Sequence, residues 1–248
     1  MSQSGPATTI ARAPAPLQPR RGRDDVAGFA VVGQPFASGD LLCLRRFPVS
    51  TFGPGYTSVW HRAVDGTWTV YTSIAPEQSC PRFIGAAVSR VVETPIDLDW
   101  IDADGLTVRI PAAGLVWQLR LASTPVTMMM NMMMALMPAA LFRSNAVLAA
   151  MSLLSMLMLR AGRMQLGGHV PNRQWFQAGP RQIWMVRKAS ASLGGRDFGP
   201  PRALPEQASI GEVPLPQRGL VMMGAFSFEA FTPGLHLPAR PEPFPALG

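Results

Sequence analysis

Residues 115–121 read Leu-Val-Trp-Gln-Leu-Arg-Leu, which puts Leu115, Trp117, Leu119 and Leu121 on one side and Val116, Gln118 and Arg120 on the other. Period two with polar residues on the second side requires an antiparallel strand with one buried and one wet face. The pattern extends upstream. Ile96, Leu98 and Trp100 lead through the turn Asp102-Ala103-Asp104-Gly105 to Leu106, Val108 and Ile110, a hairpin with a matching inner face. Asp97 and Asp99 share its outer face with Arg109, a solvated cross-strand charge pair. An earlier hairpin joins residues 57–62 to 67–73 through Val64-Asp65-Gly66, where Asp-Gly supplies the positive φ of a tight turn. Residues 41–47 form a further strand candidate, and strand signals return in 164–166, 173–177, 182–190 and 219–228. Proline (25) and glycine (23) approach a fifth of the 248 residues, which excludes a largely helical chain. No β-α-β alternation supports a parallel sheet. The expected fold is mainly β, an antiparallel barrel or curved sheet.

The alternation stops at Thr124-Pro125. From residue 121 to 159 the only charge is Arg143, and residues 128–134 hold six methionines around Asn131. The spacing predicts a two-helix, Met-rich insertion over about 125–160. Thr124 caps the first helix, and the second runs from about 139 to 159 with Pro138 in its tolerated first turn. Three roles stand open for it: plugging the core, covering a ligand, or docking on a membrane. A transmembrane hairpin is the rival, but Asn131 and Pro138 interrupt the first segment, and the unbroken runs fall near or below the roughly 20 residues a crossing needs. A single folded unit is expected over 26–231, flanked by disordered Pro-rich tails at 1–25 and 232–248.

Net charge is +7, unevenly placed: between Asp104 and Asp197 stand ten basic residues and no acid, against twelve basic and fifteen acidic elsewhere. Nucleic acid is not expected as a partner, because these cations surround apolar sequence instead of alternating with aromatics on a solvated face. An anionic membrane surface, or a greasy ligand carrying carboxylate or phosphate, fits better. Lys188 is the only lysine, which excludes mechanisms needing two; no Walker loop, G-x-S-x-G elbow or H-E-x-x-H occurs. His61, His169 and His236 are scattered and Cys43 and Cys80 stand alone, so no metal or other cofactor is expected. The N-terminus shows no secretory h-region, so the expected location is the cytoplasm, at most peripheral to a membrane, with both thiols free and buried.

The densest polar-aromatic motif is residues 53–62, answered by Thr67-Trp68-Thr69-Val70-Tyr71. His61 and Tyr71 are the acid/base candidates, Trp60, Trp117 and Trp184 the apolar walls, and Arg62 the anchor for an anionic group. The plainer readings are a hydrogen-bonded core histidine and a barrel tyrosine with a satisfied hydroxyl. The Gly66-Thr67-Trp68 hairpin ending in Tyr71, and the Leu115–Leu119 strand running on to Thr124-Pro125, resemble lipocalin-like (calycin-type) proteins. The resemblance points most to the carotenoid hydratase and hydroxyneurosporene-synthase-like group, itself similar to some cofactor-free cyclases. It covers residues 57–121 and, loosely, the last strands; such proteins often carry two barrel modules, and this chain has room for one. It implies a barrel with an apolar cavity and carries over no catalytic residue. The expected function is capture of a hydrophobic small molecule (terpenoid, polyketide or lipid), with cofactor-free cyclisation, hydration or isomerisation to follow. The alternatives are a non-catalytic carrier and a peripheral membrane protein anchored by the Met-rich helices.

Overall fold

Short polar side chains fix the hairpins by bonding their own backbone. Asp65 Oδ1 accepts from the N–H and hydroxyl of Thr67 (2.9 and 2.8 Å), and Gly66 takes φ +90°. Asp102 Oδ1 accepts from the N–H groups of Asp104 and Gly105 (3.1 and 2.7 Å). The computed structural model describes residues 5–12, 17 and 20–237; the parts of the expected tails at 1–4, 13–16, 18–19 and 238–248 lie outside the described residues.

The first half runs α1 (Pro6–Ala11), β1 (Arg23–Pro35), β2 (Leu41–Ser50), β3 (Tyr56–Arg62), β4 (Trp68–Thr72), α2 (Pro81–Ile84) and β5 (Arg90–Glu93). Then follow β6 (Asp97–Trp100), β7 (Gly105–Ile110), β8 (Leu115–Ala122), α3 (Pro125–Leu136) and α4 (Asn145–Leu159). The chain continues with β9 (Gly167–His169), β10 (Trp175–Leu193), β11 (Arg196–Asp197), β12 (Ser209–Ile210), β13 (Val213–Pro214) and β14 (Leu220–Glu229). The main sheet has the order β5-β4-β3-β2-β1-β14-β10-β8-β7-β6, with β9 and β11 added to β10 and β12–β13 a separate ribbon. Its pairs are antiparallel except β4–β5, which is parallel. The curved-sheet form of the expectation is realised and the closed barrel is not, because β5 and β6 remain its two edges.

The curl has a local cause. Gly28 of β1 faces Gly224 of β14, which faces Pro180 of β10, so a nearly side-chain-free row crosses three adjacent strands. A Cβ on Gly28 would lie 2.0 Å from the Arg46 carbonyl, and one on Gly224 2.2 Å from that of Gly179. Only bare backbone permits such approach, and the register slips beside it, between Pro180 and Gln182. That bulge also lets one 19-residue strand pass a proline where two strands, 173–177 and 182–190, were expected.

Each face of the sheet carries a core. On the first, Phe29 of β1 meets Trp100 of β6 at 6.3 Å, although four strands separate them in the sheet. Leu115, Trp117, Leu119 and Leu121 point into this packed interior, buried as their alternation requires. The second face, holding Cys43, Tyr56, Trp60, Met185 and Phe176, is covered by α2, α3 and α4.

The helical insertion falls at 125–159. Thr124 caps α3 through a reciprocal box with Thr127 (3.1 and 2.8 Å), and the Asn131 amide bonds both backbone groups of Ile183 (2.8 and 3.1 Å), acting as a missing strand neighbour. The second helix starts at Asn145, not about 139. Residues 139–143 form a 3₁₀ turn, held by Phe142 under the Arg181 guanidinium at 4.6 Å, and Ser144 supplies the cap. No helix among the described residues is long and apolar enough to cross a membrane.

Candidate functional site

Strand alternation puts residue 45 of β2 on the same face as Leu41, Cys43 and Phe47, and residue 45 is an arginine. Arg45 is only 8% exposed. Its guanidinium stacks on Trp60 at 4.3 Å, and Nη1 donates to the carbonyls of Val31 (2.7 Å) and Leu44 (3.0 Å). The Val31 carbonyl is available because β1 slips register against both neighbours just after it, so a bulge frees an acceptor that an unbroken ladder would use. Among the described residues no carboxylate pairs with Arg45, and Nε and Nη2 have no partner yet reach open space. A buried cation without a counter-charge is costly, so such a group normally meets an anion.

That open space is a cleft between the second face of the sheet and its helical cover. One lobe, enclosing about 770 Å³ of empty space with its mouth included, is lined by Arg45, Tyr56, Trp60, Cys80, Phe83 and Phe226 among others. A second lobe of about 710 Å³ runs under the helices, against Met130, Met134, Met151, Leu159 and Ile183. Val32, Gln165 and Met222 line both, so the lobes adjoin.

The polar atoms of the first lobe gather near Arg45. The Tyr56 hydroxyl and Cys80 Sγ are 3.6 Å apart, and the buried Trp60 indole N–H meets no oxygen or nitrogen acceptor among the described residues. Burial, then the adjacent Cys80, hold the Tyr56 hydroxyl well above its usual range. Burial raises Cys80 too, against the pull of Arg45, Tyr56, Ser58 and Trp60, and pushes Cys43 up to about 12. Both cysteines are free and buried. Among the described lining residues of either lobe there is no carboxylate, histidine or lysine.

The residues singled out from sequence are distributed over both faces. Trp60 lines the cleft beside Arg45. Arg62 ends β3 half-buried by its hairpin turn, with Nη1 3.5 Å from the Ala63 carbonyl. His61, Trp117 and Trp184 lie in the packed interior on the opposite face, and half-buried Tyr71 packs against that core. His61 Nε2 stands 2.6 Å from Asp40 Oδ1, Arg196 grips the same carboxylate with two nitrogens (2.8 and 2.9 Å), and the His61 ring stacks on Phe198 at 5.5 Å. Burial alone would raise the Asp40 carboxyl, but the bonds from Arg196, His61 and Ser38 outweigh it and bring it to about 2. This cluster is an ion-pair network that runs from the buried Asp40 out to the exposed Arg196, away from the cleft lining. Arg45, Tyr56 and Cys80 were not among the candidates. The readable signal was a charge inside the apolar stripe Leu41, Cys43, Phe47.

No family model and no curated protein matches this chain. Among solved structures it is similar to the acetoacetate decarboxylase of Legionella pneumophila subsp. pneumophila str. Philadelphia 1, at 11% identity over 93% of this chain and 95% of that one, with a TM-score of 0.37. A likeness that weak assigns neither family nor activity, and none of these comparisons supports the resemblance to the carotenoid hydratase group.

Proposed function

We propose that this protein binds a small, largely apolar molecule bearing an anionic oxygen group, with that group on Arg45 and the apolar body along the two lobes. The observation that carries the reading is the Arg45 guanidinium: buried, without a carboxylate partner among the described residues, and with donors free toward an otherwise apolar cleft. A carboxylate accepting from Nε and Nη2 would be matched in charge and in fork geometry. Ligand acids of the terpenoid, polyketide or lipid classes fit this chemistry.

The lining favours holding such a ligand over transforming it. General acid–base catalysis needs a group that exchanges protons near neutral pH. Here the ionisable neighbours are a guanidinium that never deprotonates and a phenol and a thiol that burial keeps protonated. A carrier is therefore the better-supported form of the proposal than a cyclase, hydratase or isomerase. Organic extraction of the purified protein followed by mass spectrometry tests it. An apolar acid recovered in stoichiometric amount supports the reading; an extract from which Arg45→Met releases the same acid in the same amount contradicts it.

A further inference from the structure

The outward faces of α3 and α4 are unlike those of helices that meet water. A surface helix places charged or polar residues opposite its core stripe, and one apolar all round is covered by something. Neither α3 nor α4 contains a charged residue. The inward side of α3 is Thr127, Met130 and Met134; that of α4 is Leu148, Ser155 and Leu159. The opposite sides leave Met132 62%, Leu136 80%, Leu153 55% and Leu157 63% exposed. These side chains recur at helical spacing, so they form a surface patch and not scattered exceptions.

We infer that this patch docks on an anionic lipid bilayer. Charge selects the occupant. Arg143 precedes α4, and Arg160 and Arg163 follow it; all three are exposed, and among the described residues their guanidinium groups have no hydrogen-bond or ion-pair partner. No acid stands between residues 105 and 196, and Glu212, which lines the groove beside Arg163, forms no ion pair with it. An isologous contact with a second copy would set these arginines against their own copies, with no carboxylate in either helix to pair them. Phosphate-rich headgroups supply the missing charge, and flexible methionines conform to irregular acyl chains. Length selects the geometry. Helices of 12 and 15 residues extend only about 18 and 22 Å, too short to cross a bilayer of roughly 30 Å but suited to lying along its interface. The same helical segment also roofs the second cleft lobe, through Met133, Met137 and Leu154.

Co-sedimentation of the full chain with phosphatidylcholine vesicles, with and without phosphatidylserine, tests this without any cleft ligand, so its result is independent of the cleft reading. The expected result is binding that requires phosphatidylserine and falls as salt rises. Arg143→Gln and Arg163→Gln should each lower partitioning about fivefold. Among the described residues only the backbone atoms of these two make hydrogen bonds, so both variants should keep the fold. Leu136→Gln combined with Leu157→Gln should lower it by about a hundredfold, with circular dichroism unchanged. Binding to neither vesicle, equal binding to both at every salt, or release only by detergent would overturn the inference. So would a concentration-dependent dimer in light scattering that Leu136→Gln abolishes while vesicles sediment without protein.

Discussion

Replacing Arg45 with methionine separates the two jobs a buried cation can have, because methionine keeps a flexible apolar stem and removes the charge. In the unliganded protein the change deletes the bonds to the Val31 and Leu44 carbonyls, about 1.5–3 kcal/mol each for a charged donor. It also deletes the contact with Trp60, about 1–2 kcal/mol. Against these stands the desolvation of an unpaired guanidinium, several kcal/mol after relaxation. The two sides nearly cancel, so unliganded stability should move by no more than about 2 kcal/mol in either direction. Binding of an anion has no such offset. A carboxylate deprived of its charge-assisted bonds should lose about 2–4 kcal/mol, roughly thirtyfold to several hundredfold in Kd. Urea unfolding reads the first quantity and titration with dodecanoate the second. A stability loss above about 4 kcal/mol with unchanged dodecanoate affinity would refute the anchor and make Arg45 a strut for the β1 bulge.

Three further outcomes follow from the same structure. The Asp40 carboxyl, held at about 2 against an ordinary 3.8, stabilises the fold above about pH 4 and loses that contribution as pH falls toward 2. Asp40→Asn should therefore cost on the order of 2 kcal/mol near neutrality, a difference from the parent that vanishes near pH 2 in acid unfolding. Trp117 is fully buried and its indole N–H has no partner among the described residues, so Trp117→Ala should cost about 3–5 kcal/mol by denaturant unfolding while Trp117→Phe costs under about 1.5. Asn131→Leu strands both backbone groups of Ile183, and should cost about 1–3 kcal/mol and speed amide exchange selectively in α3.

What the sequence made legible follows from which constraints are local. The strand from Leu115, the two aspartate turns and the Thr124 cap each depend on neighbours within a few positions, and each stands where the residues put it. β1 escaped notice because residues 26–31 are buried on both faces, which erases the alternation that marks a half-wet strand. The nearly side-chain-free row behind the curl is also distant in sequence: Gly28, Gly224 and Pro180 are far apart along the chain, and only strand pairing sets them side by side. The site was obscured for a related reason. His61 and Trp60 are neighbours in sequence, but the pleat sends one to the Asp40 network and the other to the cleft. Arg45 and Arg46 differ likewise, Arg45 facing the apolar cleft and Arg46 the other side of β2, and parity alone would have separated them.

If one buried positive charge selects the ligand's anionic end, a matched pair of probes shows it most directly. Dodecanoate and dodecanol present the same chain and differ in the group offered to Arg45. Isothermal titration of the wild-type protein should show the acid bound at least about tenfold more tightly than the alcohol, with Arg45→Met binding the two alike. Equal affinities in the wild type, or a preference for the acid that survives in Arg45→Met, would contradict it.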